Sequence, residues 1–281
     1  YSIINPLMAQ GSKYSFLNKW GSQGLSVGQF AQPLAIAIDT NDDVYVTDTA
    51  SETNNVQKFT KNGTFVTSWN LSRITDDPFT NARGIGIDSL NNVYVTGGAS
   101  PNTAVQKFTN NGTFVSSWGS TGLGDGEFTS PAWITIDSAD NVYVGDFGEN
   151  NRIQKFDSNG TFIAKWGGPG TSDGQFVNPA GLVVDSSDNI YVADRGNNRV
   201  QKFDSNGTFI TKWGTSGAGD GQFKLPAGLG VDTSGNILVA DAGNDRIQLF
   251  DSNGNFITKW GTSGTGDGQL DQPSGIATDS S

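Results

Sequence analysis

Cysteine and histidine are both absent from this 281-residue chain. Without cysteine there is no disulfide, no thiol nucleophile and no cysteine-based zinc site. Without histidine there is no Ser-His-Asp triad, no histidine-ligated metal and no imidazole pH switch. The lack of cysteine leaves the compartment open. Glutamate is scarce: Glu52, Glu127 and Glu149 are the only three among 28 acids, and the rest are aspartate. No stretch approaches ~18 consecutive apolar residues, so no membrane-spanning helix is expected. The chain opens on Tyr1 with no charged-then-apolar leader, which reads as a processed or trimmed N-terminus.

The formal charge is −11. Aspartate forms turns, because its side chain accepts hydrogen bonds from nearby backbone N–H groups. Much of the acidity therefore follows from a large number of turns. An acidic surface repels phosphate backbones, and no nucleic-acid partner is expected.

The tryptophans set a period. Trp20, Trp69, Trp118, Trp166, Trp213 and Trp260 follow one another at intervals of 47 to 49 residues, and Trp133 alone is out of phase. Asp39, Asp88, Asp137, Asp185, Asp232 and Asp279 each close a short apolar run at the same period. Within one unit, AGLVVD is a short apolar run, SSDN a turn, IYVAD an alternating strand and RGNN a loop. RVQKF is the next strand, DSNG a tight Asn-Gly hairpin turn and TFITKW a fourth strand. No segment has a helical period. Four short antiparallel strands repeated every ~40–50 residues are the plan of a β-propeller.

The stretches NPAGLVVDSSDNIYVADRGNNRVQKFDSNGTF (178–209) and LPAGLGVDTSGNILVADAGNDRIQLFDSNGNF (225–256) resemble NHL repeats. The shared pattern is Pro-x-Gly before an apolar run ending in Asp, then Asn-apolar-Tyr-Val-x-Asp, then Asn-x-Arg-apolar-Gln-x-Phe. The resemblance reaches over nearly all of the chain after about Lys13 and is specific for fold. It implies a propeller of a family that includes sensor ectodomains, RNA-binding and protein-binding modules, and some lyases. The acidic chain looks more like the secreted or surface prokaryotic members than the basic RNA-binding ones.

Counting strands predicts an all-β, six-bladed β-propeller of four-stranded antiparallel blades in a single domain, 1–281. Inner strands A fall near 34–39, 84–88, 133–137, 181–185, 228–232 and 274–279, and six strands D end in tryptophan. Full blades are expected over 34–69, 83–118, 132–166, 180–213 and 227–260. Residues 1–20 would supply strands B–D of the closing blade, with Tyr1–Ile4 as B and Leu7–Gln10 as C. Residues 274–279 would supply its strand A, so that the termini close the ring 1+3 and remove exposed sheet edges. A monomer is expected, with head-to-tail pairing between chains as the variant.

Several repeated residues have two readings. Asp146 with Arg152, Asp194 with Arg199, and Asp241 with Arg246 bracket the B–C loop of three blades. In the first blade Asn55 stands where the Arg would be, and in the second Gly97 and Ala104 replace both partners. Such pairs either form a ligand-binding ring or brace the loop by a charge-assisted bond, and bracing is the favoured reading. The periodic tryptophans read as seam packing between blades rather than ligand contacts. Asp125, Asp173, Asp220 and Asp267 precede glycine in the D–A loops. One acid per loop falls far short of the six to eight oxygens calcium takes, so they read as turn residues. Neither metal nor cofactor is expected. Asn-x-Ser/Thr occurs at Asn62, Asn70, Asn111, Asn159 and Asn206, and these are glycan acceptors if the protein is exported.

Function in a repeat protein is sought where symmetry breaks. The B–C and D–A loops share one face and vary most, which makes that face the candidate. Its irregular residues are Glu52, Arg73, Arg83, Trp133, Phe147, Glu149, Arg195 and Lys224. Trp133 takes the position held by Gly181, Gly228 and Gly275, and either lines a pocket or fills space beside a small neighbour. The expected function is a non-catalytic extracellular or cell-surface propeller that binds a protein or glycan. The alternative is a metal-dependent lactonase-like or lyase-like propeller. The resemblance to the lyases carries over poorly, since their histidine ligands have no counterpart here.

Overall fold

The computed structural model describes residues 3–5, 16–49, 54–71, 81–98 and 104–279. Five four-stranded antiparallel sheets follow one another along the chain. Blade 1 comprises Pro33–Ile38, Val44–Asp48, Asn55–Phe59 and Phe65–Asn70 as strands A to D. Blade 2 comprises Ile85–Ile87, Val93–Gly97, Ala104–Phe108 and Phe114–Trp118. Blade 3 runs through Pro131–Ile136, Val142–Asp146, Arg152–Phe156 and Phe162–Gly167. Blade 4 has Pro179–Val184, Ile190–Asp194, Arg199–Phe203 and Phe209–Trp213. Blade 5 has Pro226–Val231, Ile237–Asp241, Arg246–Phe250 and Phe256–Trp260.

The expected count of six blades is wrong by one. Of the segments assigned to a closing blade, Ile3–Asn5 pairs antiparallel with Asn18–Trp20, and these two form a sheet of their own. Residues 273–279 carry no strand ladder. Leu7–Gln10, expected as strand C, lies outside the described residues. The physical reason is local. In every full blade strand B is completely buried and opens with Val-Tyr-Val, Ile-Tyr-Val or Ile-Leu-Val, residues that hold the sheet together. The first ten residues have no such alternation, and Pro6 withholds a ladder donor.

The chain ends still meet across the seam between blades 5 and 1. The Gly228 N–H donates to the Ser274 carbonyl at 2.7 Å, and the Ser274 hydroxyl donates to the Leu34 carbonyl at 3.0 Å. Lys19 pairs with Asp267 at 2.8 Å.

Tryptophan closes the seams between blades. Trp69 stands edge-on to Tyr45 of its own blade and leans on Phe108 of the next. Trp118, Trp166 and Trp213 repeat the arrangement with Phe156, Phe203 and Phe250. Each aromatic pair contributes about 0.5–1.5 kcal/mol beyond simple burial. The glycine of the next Asn-Gly turn lies against the same indole. A Cβ on Gly160 would come within 2.4 Å of Trp118, and Gly160 has φ +87°. The turn thus needs glycine twice, for its left-handed backbone and for the ring beneath it.

The A–B turns are held by the recurring aspartate. In blade 3, Asp137 accepts the backbone N–H groups of Ala139 and Asn141 and the hydroxyl of Tyr143, the last at 2.8 Å. Lys155 lies 4.9 Å from the centre of the Tyr143 ring and donates to the Ser205 carbonyl of the next blade. Burial raises the Tyr143 pKa well above its ordinary value, and the Asp137 carboxylate adds to it. In blade 5 both members of this Tyr–Lys pair are replaced, by Leu238 opposite Leu249.

Burial by itself would raise the pKa of Asp137 and Asp185, but hydrogen bonds from Asn141 and Asn189, and from Tyr143 and Tyr191, outweigh it and hold both below the usual carboxylate value. A depressed folded pKa means stability that is fully present above the unfolded pKa of ~3.9 and is lost as pH falls through the lower folded value. Thermal melts are expected to hold from neutral pH to about pH 5 and to fall steeply below about pH 4. Asp137→Asn is expected to flatten that acid limb. An unchanged limb in the variant would remove Asp137 from the account.

Candidate functional site

Strand A begins with a bulge beside proline in blades 1, 3, 4 and 5, where the register against strand B slips. Bulges re-aim side chains, and in these four blades the slip falls at the residues that follow the proline. The residue just before the Gly/Trp133 position lines a single cavity of about 420 Å³, represented by Leu34, Arg83, Ala132, Ala180, Ala227 and Ser274. One residue comes from each blade, and Ser274 comes from the C-terminal segment. Trp133, Phe147 and Arg195 complete the aromatic and cationic part of the wall, with Ser130 and Asn178 beside them.

Four residues singled out from the sequence therefore meet: Arg83, Trp133, Phe147 and Arg195. They arrive on different elements. Arg83 precedes strand A of blade 2, Trp133 lies on strand A of blade 3, and Phe147 and Arg195 follow strand B of blades 3 and 4. Glu149 and Lys224 are exposed and do not line the cavity, and Glu52 and Arg73 lie outside the described residues. Trp133 does both things asked of it. It lines the cavity, and it packs against the apolar clusters around Ile85, Leu182 and Leu229. The alanines, Ser130, Asn178 and Ser274 escaped notice. For the alanines and Ser274, the shared position one residue before the periodic glycine was the available signal; Ser130 and Asn178 share the position just before proline.

Arg83 is half-buried and donates from Nη1 to the Ser130 hydroxyl at 2.9 Å. Burial pulls its pKa below the ordinary guanidinium value. The blade arginines are placed quite differently. Arg199 Nε donates to Asp194 Oδ2 at 2.7 Å, and its Nη atoms donate to the carbonyls of Thr171, Ser172 and Gln175. Arg246 does the same with Asp241 at 2.8 Å and the carbonyls of Ala218, Gly219 and Gln222. Arg152 keeps the three carbonyls but stands 3.6 Å from Asp146. The other oxygen of Asp194 accepts the Val177 N–H. The Arg199 and Arg246 donors are spent on their aspartates and on loop carbonyls, and the aspartates also accept from Asn197, Gln201, Asn244 and Gln248, so these two pairs brace the loops.

The D–A loop aspartates pair with lysines of strand D: Asp125 with Lys165, Asp173 with Lys212, and Asp220 with Lys259. All are exposed, and such pairs contribute little. Among the described residues no three acidic, histidine or cysteine side chains gather as a metal site. Asn62, Asn111, Asn159 and Asn206 are exposed on C–D turns, and Asn70 is exposed at the end of a strand D.

Residues 30–59, 128–156, 176–203 and 223–250 match the family model of the NHL repeat. The chain is an NHL-repeat protein. Each matched stretch of this NHL propeller starts at a buried phenylalanine of a D–A loop and ends at the phenylalanine that closes strand C. The blade without a match is blade 2, which lacks both the Asp and the Arg of the B–C loop. No curated protein matches the sequence. Among solved structures, a catalytically inactive virginiamycin B lyase from Staphylococcus aureus with quinupristin is similar over 91% of this chain and 75% of its own. Its identity is 16% and the TM-score 0.62. A protein of unknown function from Bacteroides thetaiotaomicron VPI-5482 aligns over 91% of this chain and 66% of its own, at 16% identity and a TM-score of 0.66. A protein provisionally described as a gluconolactonase aligns over 83% and 79%, at 15% identity and a TM-score of 0.57. At these identities the likeness shows the fold alone. Among the described residues no helix is long and apolar enough to cross a membrane.

Proposed function

We propose that this NHL propeller is a non-catalytic binding module, working outside the cell or at its surface, that takes a protein or glycan ligand at the mouth of the ring. The observation that carries the reading is the cavity wall. Aromatic, cationic and small side chains from all five blades converge there. Among the described residues that line it there is no carboxylate, imidazole or thiol to move a proton or attack a substrate. The extracellular placement rests on the five exposed Asn-x-Ser/Thr sites. The competing reading, a lactonase or lyase with its site in the channel, draws on the names of the structural relatives.

The test has two arms. Glycan and peptide arrays are probed with wild type and with Phe147→Ser, and a ligand held by the first and lost by the second is the expected result. The same preparations are offered a lactone and quinupristin, and turnover of either would overturn the reading. Peptide mapping of native material that found all five asparagines unmodified would withdraw the support for export.

A further inference from the structure

The cavity at the mouth holds two cations that no carboxylate among the described residues pairs with. Arg152, Arg199 and Arg246 each face an aspartate. Among the described residues Arg83 and Arg195 form no such ion pair, although the chain carries 28 acids and a net charge of −11. Arg83 is the sharper case. It is half-buried, and a neutral hydroxyl is the partner its guanidinium finds. A guanidinium has five N–H donors in a rigid fork, and burying it without a counter-ion is unfavourable. Apolar replacements at the same register were open to this position, since the other blades use leucine or alanine there.

We propose that the cavity binds an organic carboxylate with a compact apolar body, held by Arg83 and Arg195 at its charged end and by Trp133 and Phe147 along its apolar part. This rests on the reading of the mouth as a binding site and names the chemistry it selects. Guanidinium forks match carboxylates in bidentate geometry. The remaining wall is largely apolar, through Leu34, Ala132, Ala180 and Ala227, so a ligand must carry more than charge. A cavity of about 420 Å³ takes a small molecule, or one terminal residue of a peptide, rather than a folded surface. The ligand chemistry is therefore the same whether the carboxylate is a free acid or the C-terminus of a peptide ending in an aromatic residue.

Phenylacetate is the probe, phenylacetamide its neutral counterpart, and the indole N–H resonance of Trp133, assigned with Trp133→Phe, the readout. Phenylacetate is expected to shift that resonance saturably, with at least tenfold weaker binding by the amide. Arg83→Met and Arg195→Met are each expected to weaken phenylacetate about tenfold and to leave the amide unchanged. Arg195 is half-buried on the short turn after strand B of blade 4, outside the sheet, so its variant keeps the test alive if Arg83→Met fails to fold. Equal binding of acid and amide would overturn the carboxylate proposal while leaving the mouth a binding site. Silence of Trp133 toward both compounds would overturn the carboxylate proposal and count against the mouth itself. Inorganic phosphate binding as tightly as phenylacetate would reduce the site to a general anion site and overturn the proposed role of the aromatic wall. A short peptide ending in phenylalanine, free or amidated at its C-terminus, then separates the two sources: tighter binding of the free peptide than of phenylacetate assigns the site to a chain end.

Discussion

Replacing Asp194 by alanine is expected to destabilise the propeller by about 3–5 kcal/mol, because it leaves a buried arginine without its counter-charge. Asp194 is fully buried and Arg199 only 7% exposed. The carboxylate accepts from Arg199 Nε, from the side chains of Asn197 and Gln201, and from the Val177 N–H. Alanine orphans Arg199 Nε and the Val177 N–H and leaves the Asn197 and Gln201 amides with one carbonyl partner each, and each buried orphan is unfavourable by about 1–3 kcal/mol. Removing both charges is a different matter. Blade 2 shows the outcome naturally, for Gly97 faces Ala104 at the register where Asp194 faces Arg199. Asp194→Ala with Arg199→Met is therefore expected to recover at least half of the stability lost by Asp194→Ala alone. Urea unfolding of the two variants measures this. A single variant costing less than about 1 kcal/mol, or a double variant no better than the single, would show that the pair does not act as a unit.

Gly207→Ala is expected to be destabilising by about 2–4 kcal/mol, from left-handed strain and from displacement of a packed indole. Gly207 has φ +85°, and a Cβ there would stand 2.5 Å from the Trp166 ring. That ring is held between Tyr143 and Phe203, so it has little freedom to retreat. Gly221 supplies the control. Its φ is +73°, yet a Cβ would meet nothing within 4 Å. Gly221→Ala should show the backbone strain alone, about 1 kcal/mol. The difference between the two melts measures the seam contact. If both variants melted together, the tryptophan would not be holding the glycine in place.

The candidate site was partly legible. Arg83, Trp133, Phe147 and Arg195 stand out because they break a repeat, and they share one cavity. Glu149 and Lys224 break the repeat as well, but they sit on exposed loop positions away from it. Irregularity in a repeat shows where selection differs, not where side chains converge. The paired replacement of Tyr and Lys by Leu238 and Leu249 was also written in the chain. The structure places the two leucines opposite each other on neighbouring strands.

By itself the sequence determined the blade. Alternating apolar strands, Asn-Gly turns and aspartates that bond their own turn are short-range devices, complete within about ten residues, so periodicity exposes them. Only the tertiary structure decided the number of blades and the site. Whether a terminal segment joins a sheet depends on competing partners at the opposite end of the chain. Residues 3–5 chose Asn18–Trp20 while 273–279 packed without a ladder. The cavity likewise belongs to no repeat, because its wall takes at least one residue from each blade and is closed by contact between positions as distant as Leu34 and Ser274.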